Sequence, residues 1–246
     1  MFSGLIWSDT FGNGWLTANS VWERAAKSED VLVRRMAADT KDPEVAVFLD
    51  ERTLAYVNDQ NAFRTLVHSL REAVLRAGVS VGFYLISDLA HRERFPETKL
   101  NIFVNAWDIR SDLRAAIKTR LQRDGKVLLW MYAGGLFDSG RDSLERVREV
   151  TGIAIKPQPI FSKPGTTILD RRHPLASAFP TGTVQSDVEM SPTYFAIPED
   201  GHVIGEYTQS GLPSFVVRNV RGEMPDLDWT SVFLGEATVN SSLIRA

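Results

Sequence analysis

The chain has 246 residues, 43% of them apolar and 24% charged, with a formal net charge of −3. This composition supports a packed core and excludes a disordered chain, and the interleaved charges lack the basic face that a nucleic-acid partner needs. No apolar run approaches the ~18 residues of a membrane helix and no positive N-terminal region precedes one, so a soluble chain with neither membrane partner nor targeting signal is expected.

Residues 5–9 read as a strand and residues 11–16 as a Gly-rich aromatic loop. Asn19 or Ser20 then caps a helix running to about Ala38. This single β/α unit is set apart by the polar residues 39–43. Val45–Leu49 is a short β-rich apolar run between Pro43 and Asp50. Residues 61–77 carry a helical stripe of Phe63, Leu66, Val67, Leu70, Val74 and Leu75, with Gly78 at the expected C′ position. Residues 79–86 form a second strand and residues 100–104 a third. Ser111 is placed as the N-cap of a helix over 112–123, whose stripe is Leu113, Ala116, Ile117 and Leu121. Residues 127–132 are a fourth, very apolar strand. Such strands, hardly alternating and separated by helices, belong to a parallel sheet covered on both faces.

After Gly152 the texture changes, and prolines at 157, 159, 164, 174, 180, 192 and 198 divide the chain into short segments. Residues 202–207 and 214–218 read as a hairpin, 230–234 as a last strand, and 241–246 as a helix cut short, from which a truncated chain is expected. Cysteine is absent, which removes disulfides, thiolate metal sites and cysteine nucleophiles. His68, His91, His173 and His202 are each isolated and are expected in turns or at the surface, and no metal or cofactor is expected.

Three groups of residues bear on function. Gly134-Gly135 follows an apolar strand, but without the spacing of a nucleotide loop it reads as a tight turn. Trp107, Asp108, Trp130, Tyr132, Phe137 and Asp138 gather where the third and fourth strands end. Carboxyl ends of strands hold ligands in open α/β sheets, and aromatic faces beside carboxylates suit a sugar, although core under the helices is the favoured reading of Trp130 and Tyr132. Trp107, Asp108, Tyr132 and Asp138 are the candidate ligand-binding set. Asp9, Asp50 and Glu51 stand at strand ends without an assignable partner, and no Gly-x-Ser-x-Gly occurs, so no catalytic residue is assigned.

Several words in the sequence follow one another in a familiar order: Val45-Ala46-Val47-Phe48-Leu49-Asp50-Glu51, Val104-Asn105-Ala106-Trp107, Leu121 through Tyr132, Thr151-Gly152-Ile153, His173-Pro174-Leu175 and Pro213-Ser214-Phe215-Val216-Val217. In this they resemble the class I glutamine-amidotransferase-like domain, in the trimerisation-type version appended to the barrel of three-domain β-galactosidases and related glycoside hydrolases. The resemblance implies a doubly wound, mostly parallel flavodoxin-like α/β sheet with helices on both faces over residues 41–246, with a late β-hairpin. Residues 1–40 then look like the last unit and linking helix of a β/α barrel. Two catalytic carboxylates about 5 Å apart cannot be held by one such unit and would lie upstream. In a working amidotransferase a cysteine occupies the strand-to-helix turn, and Tyr132 stands near that position as a degenerate nucleophile, which excludes glutamine hydrolysis by the family mechanism.

The reading is a non-catalytic accessory or oligomerisation module of a glycoside hydrolase, helping to shape a neighbouring sugar site. A homo-oligomer is expected, with carbohydrate met through the parent enzyme. Leu5, Ile6, Trp7, Val21 and Trp22 would be uncovered once a barrel is missing. A free-standing flavodoxin-like small-molecule-binding or sensor domain is the alternative, and an independent carboxylate hydrolase a third.

Overall fold

The computed structural model describes residues 19–37, 42–56, 64–158, 164–179, 182–185, 189, 191–236 and 244. The chain divides into two compact units, Met1–Asp42 and Pro43–Ala246. In the first unit the described element is helix α1 (Asn19–Ala37), with Trp22, Val31 and Val33 exposed. The strand expected at 5–9, the loop at 11–16 and all but Ile244 of the helix expected at 241–246 lie outside the described residues.

The strands of the second unit are β1 (Val45–Leu49), β2 (Val81–Leu85), β3 (Leu100–Phe103), β4 (Lys126–Met131), β5 (Phe137–Asp138), β6 (Arg141–Asp142), β7 (Ile155–Gln158), β8 (Gly165–Ile168), β9 (Thr183–Gln185), β10 (Thr193–Ala196), β11 (His202–Tyr207), β12 (Pro213–Val220) and β13 (Trp229–Leu234). Among the described residues, nine make one sheet in the order β2-β1-β3-β4-β13-β12-β11-β8-β9. The pairings from β2 through β13 are parallel. From β13 outward through β12, β11, β8 and β9 they are antiparallel. The late hairpin is thus part of a longer antiparallel extension. Its strands follow short turns and proline-punctuated segments, too short for the helical crossovers that parallel pairing requires.

Alternation along the strands explains why the parallel half is covered twice. Val45 and Val47 of β1 and Leu129 and Met131 of β4 enter one apolar cluster with Leu66, Leu70 and Val74. Ala46, Phe48, Leu128 and Trp130, one residue out of step, enter a second cluster with Leu89, Leu113 and Ile117. Both faces of each strand are therefore apolar, which is the continuous run seen in the sequence. The helices that provide the covers are α2 (Leu70–Arg76), entered through a π-helical turn at Arg64–Ser69, α3 (Asp88–His91) and α4 (Ser111–Arg120). A fourth cover, α5 (Leu144–Thr151), contributes Val147 and Val150.

Three sequence expectations need correction. Leu75 points to solvent at 59% exposure, because its neighbour Val74 holds the buried face of α2. Ser111 is the first helical residue of α4, not its cap. The cap position is Arg110, extended at φ −70 and ψ 168 and without a side-chain cap bond, while Asp112 supplies the negative charge the helix start favours. The edge strand β2 is only half-buried, since among the described residues it has a partner on one side alone.

Trp130 is wholly core: it is fully buried and stacks on Phe103 with ring centroids 4.1 Å apart. Trp130→Ala is expected to cost about 3–5 kcal/mol of stability, the range for emptying a large aromatic site. Urea unfolding of the two chains measures this, and a loss below about 1 kcal/mol would contradict the packing described.

Candidate functional site

The carboxyl edge of the parallel strands carries the candidate residues. At the end of β4 the chain makes a sharp elbow at Tyr132, a non-glycine residue at φ +60. Its N–H donates to the Leu234 carbonyl at 2.8 Å, fastening the elbow to the end of β13. Its hydroxyl donates to the Pro192 carbonyl, and its ring lies 5.4 Å from Trp107 and 5.2 Å from Tyr194. Burial pushes the phenol well above its ordinary pKa. Gly135 follows at φ +73, so the glycine pair does make a turn that side chains rarely adopt. The first helix downstream is α5, beyond the β5–β6 hairpin.

The four predicted ligand residues stand on this edge, three of them buried and Asp138 partly so. Trp107, Asp108 and Tyr132 are 7%, 5% and 7% exposed. Asp108 Oδ1 accepts the Ser139 N–H at 2.9 Å. Asp138 is held by Arg114 at 3.0 Å and by Arg146. The Arg114 hydrogen bond is the main cause that keeps its carboxyl below the usual range. Phe137 binds the edge together by pairing with Asp108 in a bridge. Both carboxylates are thus engaged within the chain, and the Trp107 and Tyr132 rings are almost fully covered.

Strand order reveals a place the sequence could not locate. β1 leads to β2 on one side and the chain then crosses to β3 on the other, so the topological switch falls between β1 and β3. There Asp50 N–H donates to Asn105 Oδ1 at 2.9 Å, and Asn105 Nδ2 donates back to the Asp50 carbonyl at 2.9 Å. The Thr53 hydroxyl stands 3.0 Å from Asp50 Oδ2, and the Arg52 N–H donates to Oδ1 at 3.0 Å. Burial is the main influence on Asp50 and raises its pKa against these bonds. The pair laces the two strands shut where ligands bind in open sheets. Glu51 is exposed beside it, and Asp9 lies outside the described residues.

Glu236 is a further residue of this edge, one that no sequence motif marks. It follows β13, is fully buried, and neither carboxyl oxygen has a hydrogen-bond partner among the described residues. Burial is the main cause and pushes its pKa up to about 8. Tyr207 closes over the same place, its hydroxyl donating toward the Tyr194 and Gly235 carbonyls at 2.8 and 2.9 Å. A Cβ on Gly235 would meet that hydroxyl at 2.1 Å, so glycine is required. The available signal was a Gly-Glu pair directly after an apolar strand.

The histidines, isolated in sequence, are not all isolated in space. His202 Nε2 lies 2.7 Å from Asp170, and the His173 ring is 5.7 Å from that of His202. His173 also accepts the Leu175 N–H as a helix cap. Among the described residues, no group of three or more His, Cys, Asp or Glu side chains is placed to hold a metal.

The sequence matches no protein-family model and no curated protein. Solved structures share its fold. A β-galactosidase from the haloarchaeon Halorubrum lacusprofundi aligns with a TM-score of 0.60 and 14% identity, over 84% of this chain and 30% of that one. A GH42 β-galactosidase from G. stearothermophilus aligns with a TM-score of 0.56 and 14% identity, over 87% and 31%. A ThuA-like protein from Bacteroides uniformis aligns with a TM-score of 0.53 and 12% identity, over 85% and 90%. The chain therefore spans about a third of the length of these β-galactosidases and nearly all of the ThuA-like protein.

Glu236 gives the edge a definite pH dependence. In the folded chain its pKa is raised above the unfolded value of 4.5, so the folded state keeps a proton that the unfolded state has lost. Its contribution is full below pH 4.5 and is lost as pH rises through about 8, at about 1.4 kcal/mol per pH unit in between. Glu236→Gln should flatten that slope in chemical unfolding measured from pH 5 to 8. Parallel slopes for the two chains would show that Glu236 is ionised in the fold.

Proposed function

We propose that this chain is a non-catalytic, glutamine-amidotransferase-like module of a glycoside hydrolase of the β-galactosidase kind, acting in oligomer contacts and in shaping a neighbouring sugar site. The observation that carries this reading is the elbow at Tyr132. A nucleophile elbow exposes its reactive atom at the top of the sheet. Here the same left-handed geometry holds a buried phenol already donating to Pro192, with its proton held tightly. The fold likeness to chains about three times as long supports a module within a larger protein. On this reading residues 1–40 are the end of a β/α barrel, and Tyr132 is a degenerate nucleophile position. Trp107, Asp108 and Asp138 serve to build the edge, and any sugar they help to position is bound mainly by the neighbouring barrel.

A second reading, a free-standing small-molecule-binding domain, is favoured by one finding, the near-complete coverage of the ThuA-like protein. Oligomeric state separates the two, because α1 exposes Trp22, Val31 and Val33 and apolar surface of this kind seeks a partner. The accessory-module reading expects a defined oligomer by light scattering at tens of micromolar, weakened by Val31→Glu with Val33→Glu. A clean monomer favours the free-standing domain. It also expects no turnover of glutamine or nitrophenyl galactosides by this chain. Activity that survives repurification and is lost in Asp50→Ala or Glu236→Gln would defeat it.

A further inference from the structure

We propose that a cleft at the amino-terminal edge of β3 and β4, between Lys126, Arg120 and Glu97, binds a small phosphate-bearing anion. The cleft has a volume of about 300 Å³ and lies at the opposite end of the strands from Tyr132. Its walls are the segment leading into β3, with Phe95 and Glu97, and the end of α4 with the turn after it, with Arg120 and Arg123. This site is independent of the accessory-module reading.

The argument begins with Lys126, the first residue of β4 and 8% exposed. Among the described residues it is the one lysine or arginine that is buried. An ammonium taken out of water needs acceptors and counter-charge. Its Nζ donates to the Arg120 carbonyl at 3.1 Å, and Glu97 lies 3.0 Å away. Asp124, at 3.9 Å, is already engaged by Arg123 at 2.8 Å. The close counter-charge is therefore Glu97, whose side chain is 82% exposed. A buried cation paired to a solvated carboxylate has an exchangeable partner, since exposed ion pairs contribute little.

Arg120 supplies the second cation. It lines the cleft and has no ion-pair partner among the described residues. Arg123 is neutralised between Asp124 and Asp226 and acts as a wall. An incoming phosphate that displaces Glu97 would meet the Lys126 ammonium and the planar fork of Arg120, two donors suited to its oxygens. The end of a helix ordinarily repels anions through its free carbonyls, but here Lys126 Nζ occupies the Arg120 carbonyl. The volume exceeds that of a lone phosphate. Phe95, fixed by stacking 5.5 Å from Phe48, offers an apolar wall for whatever the phosphate is esterified to.

The test is an amide NMR titration of the full chain at low, matched ionic strength, with inorganic phosphate in one arm and glucose 6-phosphate in the other. Saturable shifts are expected at Glu97, Thr119 and Lys126. Tighter binding of the ester identifies a phosphomonoester, and equal binding identifies free phosphate. Arg120→Ala should weaken binding about tenfold, and Glu97→Gln should strengthen it several-fold by removing the competing carboxylate. Glu199→Gln, on the antiparallel side of the sheet, should leave it unchanged. The absence of shifts at these residues by tens of millimolar phosphate overturns the proposal. So does an affinity that Arg120→Ala and Glu97→Gln leave unchanged, or that all three variants change alike.

Discussion

Strand β13 is hydrogen-bonded along its whole length on both edges, parallel to β4 on one side and antiparallel to β12 on the other. The rest of the structure depends on this insertion. The parallel half is built from consecutive β/α units, each closing a short loop, whereas β13 comes from the far end of the chain and must close a long one. Once in place it completes both apolar clusters, giving Val232, Phe233 and Leu234 to one and Trp229 to the other. It is also the seam between two ways of pairing, so the antiparallel strands have no place in the sheet without it.

The chemistry of the carboxyl edge follows from that seam. Because the Tyr132 N–H is bound to the end of β13, the elbow after β4 and the glutamate after β13 are brought to neighbouring strand ends. Three tyrosines gather at these strand ends, Tyr132, Tyr194 and Tyr207, and burial raises the pKa of each phenol above its ordinary value. The Tyr132 and Tyr207 phenols donate to main-chain carbonyls, and the carboxyl oxygens meet no hydrogen-bond partner among the described residues. The energy of the arrangement is that of a closed core, with polar groups satisfied internally or kept neutral.

The two ends of the parallel strands are consequently unlike. At the carboxyl end the Asp50–Asn105 pair laces β1 to β3, and ion pairs from Arg114 and Arg146 hold Asp138. At the amino end, a single buried lysine relies on a solvated glutamate. Open α/β sheets usually concentrate ligands at the carboxyl end. In this chain these bonds engage the polar groups of that end, while Lys126 and Arg120 line a cleft at the other.

The local elements are written in the sequence. β1, β3 and β4 were legible as apolar runs, α2 as a stripe ending at Gly78, and the hairpin of β11 and β12 through its turn residues. Each is written in the spacing of near neighbours, where side-chain periodicity and backbone preference act directly. Trp107, Asp108, Tyr132 and Asp138 could likewise be placed together, because they follow strands whose direction the β/α alternation implies. Which way those residues face and what they meet follow from the packed fold alone. Trp130 stacks on Phe103, Asp138 pairs with Arg114, and Tyr132 meets Pro192, partners chosen by packing between segments distant in sequence. Strand order, the switch between β1 and β3, the burial of Glu236 and the pairing of His202 with Asp170 are of the same kind. They depend on which long loops close, and no local spacing records that choice.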